Sequence, residues 1–441
     1  MANYNNRSLF SDYYLGELVG EDSHWQAFRS KAWEFRQRIA NILEKAIPGI
    51  NGDTPEAEVE RRLIRPILDV LGHVYFVQPA VHSSEGVRRP DYAFFTSPEL
   101  RQEAESHKGQ PEFFRNALAV GDAKAWERSL DKRVKGPGDP FSNHNPSYQI
   151  DFYLRATDKR WGLLTNGRHW RLYHRDLSYR LDVYYEVDLP QIITLDEDAF
   201  LYFLAFFHKN AFQPDGSGEC FLDRAYRAST EYAASVSEEL KDNVYEALRL
   251  LAEGLLSFSQ NNLKPQDLDV IRENAFIVIY RLLFILYAEA REFLPVANPT
   301  YWGTYSLRAL THEIATKEPF ESKLSPTTTM YWSRLRELFN LINSGDRLLS
   351  IPPYNGRLFD DQKEHQSLAA WKIGDSYLAA AVDQLARAKA AGRTGRGFVN
   401  YRDLSTRELG SIYEGLLEQR PRYAAQDMVV IRKTRERNSY L

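Results

Sequence analysis

From Ser23 to about Leu43 the apolar residues Trp25, Phe28, Ala32, Phe35, Ile39 and Leu43 recur at three- and four-residue spacing. That period predicts an amphipathic helix, closed near Pro48-Gly49. A second helix is expected after Asp53-Thr54-Pro55, a capping sequence with proline in the first turn, running through Leu63, Ile64, Ile67, Leu68 and Leu71 to Gly72. Pro66 should bend it. Past Gly72 the pattern changes to short β-branched and aromatic runs, Val74 to Val77, Tyr92 to Phe95 and Ala117 to Val120, which read as strands. A loop rich in Gly, Pro, Asn and basic residues spans Lys132 to Pro146, and Tyr148 to Ala156 looks helical. Trp161 to Thr165 and Trp170 to Tyr173 flank Asn166-Gly167, a strong hairpin signal, with one more strand around Leu181 to Val187. Beyond about Leu195 helical periodicity takes over. The expected division is a mixed α/β domain over residues 1–225 and an α-helical domain over 226–441, without internal repeats.

Composition narrows the class. With 441 residues, 43% of them hydrophobic and 26% charged, the chain can bury more than one core, unlike a disordered or stapled scaffold. Its formal charge of -4 excludes a generally basic DNA-coating protein, so nucleic-acid contact would have to come from local patches. Cys220 is the single cysteine, which excludes an intrachain disulfide or a cysteine zinc site and points to a reducing, cytoplasmic location with Cys220 inert in a core. The N-terminus has no signal-peptide core. The most apolar stretches, Ala199 to Phe207 and Ala275 to Ala290, are too short to span a bilayer, and the second carries Arg281 and Glu289. No membrane association is expected.

Candidate chemistry lies in the first domain. Pro90-Asp91 opens one strand, and Gly121-Asp122-Ala123-Lys124 closes another. If the two strands are neighbours, two carboxylates and a lysine converge. Such a set suits phosphodiester hydrolysis, because carboxylate oxygens can hold Mg²⁺ beside an anionic phosphate while leaving positions for water and substrate. Asp91, Asp122 and the Ala123 carbonyl are the expected metal ligands. Lys124 would orient or help deprotonate the attacking water and offset charge building on phosphate.

These residues resemble the PD-(D/E)XK nuclease superfamily, in which Pro-Asp and Asp-X-Lys lie on adjacent strands of a mixed sheet flanked by helices. The resemblance implies a helix acid touching the metal, for which Glu58 is chosen over its neighbours Glu56 and Glu60 by alignment with the family pattern. It also implies a Gln-x-x-x-Tyr element, matched by Gln149 and Tyr153, followed by the hairpin Trp161 to Tyr173. Three later segments, Tyr280 to Arg291, Tyr354 to Phe359 and Leu409 to Glu418, look like pieces of the helical connector of type IIG restriction-modification enzymes. Those enzymes join a nuclease, this connector, an adenine-N6 methyltransferase and a target-recognition domain. The implied function is a Mg²⁺-dependent DNA endonuclease of a restriction-modification or related phage-defence system, acting on double-stranded DNA.

The methyltransferase signatures are missing. Asn145-Pro146-Ser147-Tyr148, Asn298-Pro299-Thr300-Tyr301 and Pro352-Pro353-Tyr354-Asn355 echo the Asn-Pro-Pro-Tyr motif imperfectly and lack a preceding apolar strand. No phosphate-binding Gly-x-x-x-x-Gly-Lys motif is present. The chain stops about where the methyltransferase would begin, so a methyltransferase/specificity domain or subunit is expected, on another polypeptide or on a missing part of this one. Local cations are candidates for phosphate contact: Arg88 and Arg89 before Asp91, then Arg128, Lys132, Arg133 and Lys135 after Lys124. A third run, Arg387, Lys389, Arg393, Arg396 and Arg402, contains no acid between Asp383 and Asp403. The competing reading is an assembly subunit with a silent nuclease fold whose helical domain docks the methyltransferase.

Overall fold

In the computed structural model the described residues are 3–83, 86–133, 141, 143–354, 356–389, 396–404 and 406–417. Their contacts separate the chain into two compact units, Met1–Ala233 and Ala234–Leu441.

The first unit is built on a mixed seven-stranded sheet. Its strands are β1 (Asn5–Asn6), β2 (Val74–Val77), β5 (Tyr92–Phe95), β6 (Ala117–Ala123), β7 (Trp161–Thr165), β8 (His169–His174) and β9 (Tyr185–Asp188). They lie in the order β1-β9-β8-β7-β6-β5-β2. Only β6 and β7 pair in parallel, and parallel neighbours need a crossover. The helix α6 (Pro146–Thr157) provides it. A separate ribbon, β3 (Val81–Ser83) with β4 (Gly86–Arg88), stands between β2 and β5 in sequence.

Alternation along the strands sends side chains to two cores. Tyr92, Phe94, Ala119, Trp161, Leu163 and Trp170 belong to one. There they meet α1 (Ser23–Arg29), α2 (Ala32–Ala46), the helix beginning with α3 (Glu56–Val59), and α8 (Glu197–Phe207). Ala93, Phe95, Val120, Leu164 and Tyr173 face the other, against Ile150, Tyr153 and Leu154 of α6. Gly162 permits that second contact, since a Cβ there would stand 2.8 Å from Ile150 Cγ1.

Two predicted helices are interrupted. The first divides at Ser30-Lys31 into α1 and α2. The second stays helical through Pro66 but widens into a π turn at Glu60–Ile64, between α3 and α4 (Arg65–Val70). Proline lacks the N–H for a regular turn and crowds the carbonyl four residues back, and a widened turn before it relieves both. Asn166-Gly167 does turn the β7–β8 hairpin: Asn166 Oδ1 accepts from the Arg168 and His169 N–H groups, and Gly167 has φ +86°. Cys220 is buried, and its thiol is pushed up to about 12, chiefly by burial.

The second unit is mainly helical, dominated by α10 (Leu268–Ala290), and it also carries the small ribbon Arg387–Lys389 with Arg396–Phe398, so it is not all-α. Arg281 is fully buried: Nε donates to the Leu358 carbonyl at 2.7 Å and Nη2 to Asp361 at 2.6 Å. Tyr280 stacks edge-on with Tyr413 at 5.0 Å, so the three connector-like segments meet. Glu289, also fully buried, accepts from Tyr301 Oη, Ser306 Oγ and the Leu307 and Arg308 N–H groups, closing the N-terminus of the helix Leu307–Ala315. Two of the Asn-Pro echoes are helix caps: Asn145 accepts from Ser147 N and Asn298 from Thr300 N. The third ends at Asn355, outside the described residues. Among the described residues no helix is long and apolar enough to cross a membrane.

Candidate carboxylate-lysine site

Asp91 and Asp122 are brought side by side by strand register. Tyr92 pairs with Gly121 across the antiparallel β5–β6 ladder, so Asp91 and Asp122 are the next opposed residues. Both are buried, at 8% and 2% exposure. Asp91 Oδ2 accepts the Ala123 N–H at 2.7 Å, tying the first carboxylate to the middle of Asp-Ala-Lys. Its carboxyl is held well above the usual range, first by burial and then by the charge of Asp122.

Lys124, 5% exposed, follows β6, and its N–H donates to the Thr165 carbonyl of the parallel neighbour at 2.8 Å. Its ammonium forms an ion pair with Asp122 Oδ2. That oxygen is nevertheless buried without a directed hydrogen bond, so the lysine supplies charge without the alignment. Burial opposes the charge of Lys124, and Asp122, Glu56 and Asp91 outweigh it, leaving the ammonium above its usual pKa. Lys124 is thus held protonated and suited to stabilising negative charge, more than to taking a proton from water.

The helix acid differs from the sequence expectation. Glu58 pairs with Arg62 at 3.2 Å, on the helix's own flank. Glu56, one turn earlier than Glu60, feels Lys124, Asp122 and Arg128, and its carboxyl is raised, mainly by burial. Glu60 acts on Asp91 and is itself engaged by Tyr92 Oη at 2.5 Å and Arg65 Nη2 at 3.1 Å. Helical phase explains the exchange: Glu56 and Glu60 are four apart and in phase with buried Leu63, Ile64 and Ile67, whereas Glu58 falls off that stripe. The same stripe was readable in the sequence.

On the α6 side of the sheet, to which strand alternation also assigns Asp91 and Asp122, Gln149 is 3% exposed, one turn before Tyr153. Tyr153 Oη donates to the Arg89 carbonyl at 2.9 Å, fastening the segment that leads into Asp91. Of the candidate DNA contacts, Arg88 lies over the Phe141 ring at 5.3 Å, and Arg89 is exposed with Nη1 donating to the Gln78 carbonyl. Arg128 is half-buried and acts on Glu56, Lys132 and Arg133 are exposed, and Lys135 lies outside the described residues. Asp131, just before Lys132, is gripped by Arg171 of β8 at 2.6 and 3.0 Å. In the third basic run three cations are paired with acids that lie outside it, while Lys389 is exposed. Arg387 and Arg396 both bind Asp383, which is 1% exposed, and Arg402 pairs with Glu292. Arg393 is outside the described residues.

The donor set suits a hard divalent cation. Two adjacent buried carboxylates, one with an oxygen lacking a hydrogen bond and one whose charge is disfavoured by the other, are both relieved by a cation between them. Among the described residues no group of three or more His, Cys, Asp or Glu could hold a metal ion, so the protein's carboxylates at this point are the pair Asp91 and Asp122.

No family model matches this chain, and no curated protein matches it. Among solved structures it is similar to one described as a cryo-EM structure of a DrdV–DNA complex, with TM-score 0.26 and 13% identity. The match covers 88% of this chain and spans 27% of the other. At that TM-score the likeness assigns neither fold family nor function.

Proposed function

We propose that the first unit is a Mg²⁺-dependent nuclease of the PD-(D/E)XK type that hydrolyses phosphodiester bonds in DNA. The observation that carries this reading is the opposed pair Asp91 and Asp122 with Lys124 against them, buried at one end of a mixed sheet. Asp91 and Asp122 would hold the cation, with the Ala123 carbonyl and Glu56 beside them. Bound there, a divalent cation supplies Lewis-acid polarisation of the phosphate and eases deprotonation of its water. The chain's own part is positioning and charge. Tyr153 and the Ala123 N–H fix Asp91, and Lys124 keeps its proton and meets the negative charge that develops on phosphate. Exposed Arg89, Lys132 and Arg133 supply salt-dependent phosphate contacts. The type IIG-like organisation, with methylation and target recognition on other domains or chains, belongs to the same proposal.

The test is cleavage of supercoiled plasmid by purified protein with Mg²⁺, alone and with the product of any adjacent methyltransferase gene. Asp122→Asn and Lys124→Ala should each abolish cutting while leaving the circular dichroism spectrum intact. Full cutting by both variants would refute the assignment.

A further inference from the structure

The segment from Ala125 to Asp131 leaves the site directly after Lys124 and belongs to no helix or strand, yet side chains from elsewhere hold it in place. Asn166 Nδ2 donates to the Arg128 carbonyl at 3.0 Å, Ser147 Oγ to the Leu130 carbonyl at 2.9 Å and Asn145 Nδ2 to the Asp131 carbonyl at 3.1 Å. The Asp131 carboxylate accepts two more bonds from Arg171, at 2.6 and 3.0 Å. A loop fastened in this way presents its side chains in fixed places.

Arg171 comes from the same row of the sheet as the site. Asp122 pairs with Leu164, Leu164 with Arg171 and Arg171 with Glu186, so Arg171 stands two strands, or about 10 Å, from Asp122. Arg171 is 4% exposed, with its guanidinium 3.8 Å from the centre of the Tyr184 ring and Nε donating to Glu186 at 2.5 Å. Glu186 alone balances its charge. Asp131, with a side chain 54% exposed, is therefore not needed to neutralise the core. What the two-pronged pair contributes is geometry, because a planar guanidinium fixes the direction of a carboxylate as well as its distance.

Within the held segment, Arg128 is the cation that acts on the site. It is half-buried, its Nη2 donates to the His144 carbonyl at 3.4 Å, and its charge is felt by Glu56 together with those of Lys124 and Asp122. A guanidinium so placed suits a phosphate oxygen. We infer that Arg171 and Asp131 are a positioning pair that holds Arg128 to bind a DNA phosphate beside Asp91 and Asp122. This rests on the nuclease reading and adds to it a substrate contact and the device that aims it.

The experiment measures binding of the full chain to a 30-base-pair duplex by fluorescence anisotropy at several salt concentrations, with Ca²⁺ in place of Mg²⁺. Arg171 is left in place, because its loss would strand the buried Glu186. By charge alone, removing the acid Asp131 near phosphate-binding cations should tighten binding. Asp131→Ala should instead weaken it about ten-fold and lower the slope of log affinity against log salt by about one, as should Arg128→Ala. The double variant should lose no more than either single one, since both remove the same contact. Unchanged or tighter binding by Asp131→Ala, or losses that add in the double variant, overturns the inference while leaving the nuclease reading standing. A wild-type chain that neither binds nor cuts duplex DNA overturns both.

Discussion

Replacing Asp91 by asparagine separates what the site does for chemistry from what it does to the fold. Asparagine keeps the shape and can still accept the Ala123 N–H, so the change is almost purely one of charge. Opposed side chains on an antiparallel pair have Cβ atoms about 5 Å apart, and at an effective dielectric constant of about 20 two like charges at that separation repel by about 3 kcal/mol. Attraction to Lys124 offsets part of this, but it ranks below burial and Asp122 among the influences on Asp91. A net gain of about 1–2 kcal/mol is therefore expected for Asp91→Asn without metal, which for a unit of this size raises the melting temperature by roughly 2–8 °C. The sign depends on pH. A carboxyl raised in the fold binds more proton folded than unfolded, so its ionisation destabilises the fold as pH rises from the ordinary carboxylate range through the raised value. The advantage of Asp91→Asn should vanish at about pH 4, where both chains are uncharged at this position, and reach its plateau above the raised pKa. Adding Mg²⁺ should stabilise the wild type, by about 2–3 kcal/mol at roughly a hundred-fold excess over Kd, and leave the variant unchanged. Differential scanning calorimetry across pH, in EDTA and in Mg²⁺, measures all of this. A lower melting temperature for Asp91→Asn near neutral pH in EDTA, or a difference independent of pH, refutes the electrostatic account.

Glu56→Gln should reduce plasmid cutting by about ten-fold or more, whereas Glu58→Gln, which breaks only a half-exposed pair with Arg62, should leave it within about two-fold; the reverse order would restore the sequence-based choice of acid. Gly167→Ala should destabilise the first unit by about 1–3 kcal/mol in chemical denaturation, because the residue has φ +86° and its Cβ would stand 2.7 Å from Leu63 Cδ2; unchanged stability would mean that the β7–β8 turn relaxes.

Local periodicity made much of the first unit legible. Strands β2, β5 and β6, the β7–β8 hairpin and α6 all follow from short-range signals, and their order places Asp91 and Asp122 near one another. What the sequence hid depends on partners distant along the chain or on phase within a helix. The ribbon β3–β4 has only three residues per strand and one buried side of the Val81–Arg88 pair, too little alternation to register as strands. The basic run after Asp383 looked like a free cationic surface because its neutralising acid precedes it and Glu318 lies 69 residues before Arg387. A charge run read linearly cannot reveal that Arg387 and Arg396 converge on one buried carboxylate. Glu58 was preferred because motif spacing counts residues, whereas a helix presents them by angle.

That angle also divides the work between the two inward acids. Glu60 opens the π turn, and Tyr92 and Arg65 both bond to it, so its charge is tied to the side of β5 facing α3 and α4. Glu56, four residues earlier in regular helix, is acted on instead by Lys124 and Asp122. One acid thus secures the helix to the strand that follows Asp91, and the other adds negative charge beside Lys124. The widened turn before Pro66 lets both roles coexist with burial of Val59, Leu63, Ile64 and Ile67, since an uninterrupted α-helix would set Pro66 against the Arg62 carbonyl. Stability alone does not explain so many acids at one sheet end, because Asp91 and Glu56 both ionise less readily there than in water. A site that disfavours its own negative charges would gain from a cation, and that gain is the physical basis of the proposed divalent-metal chemistry at Asp91 and Asp122.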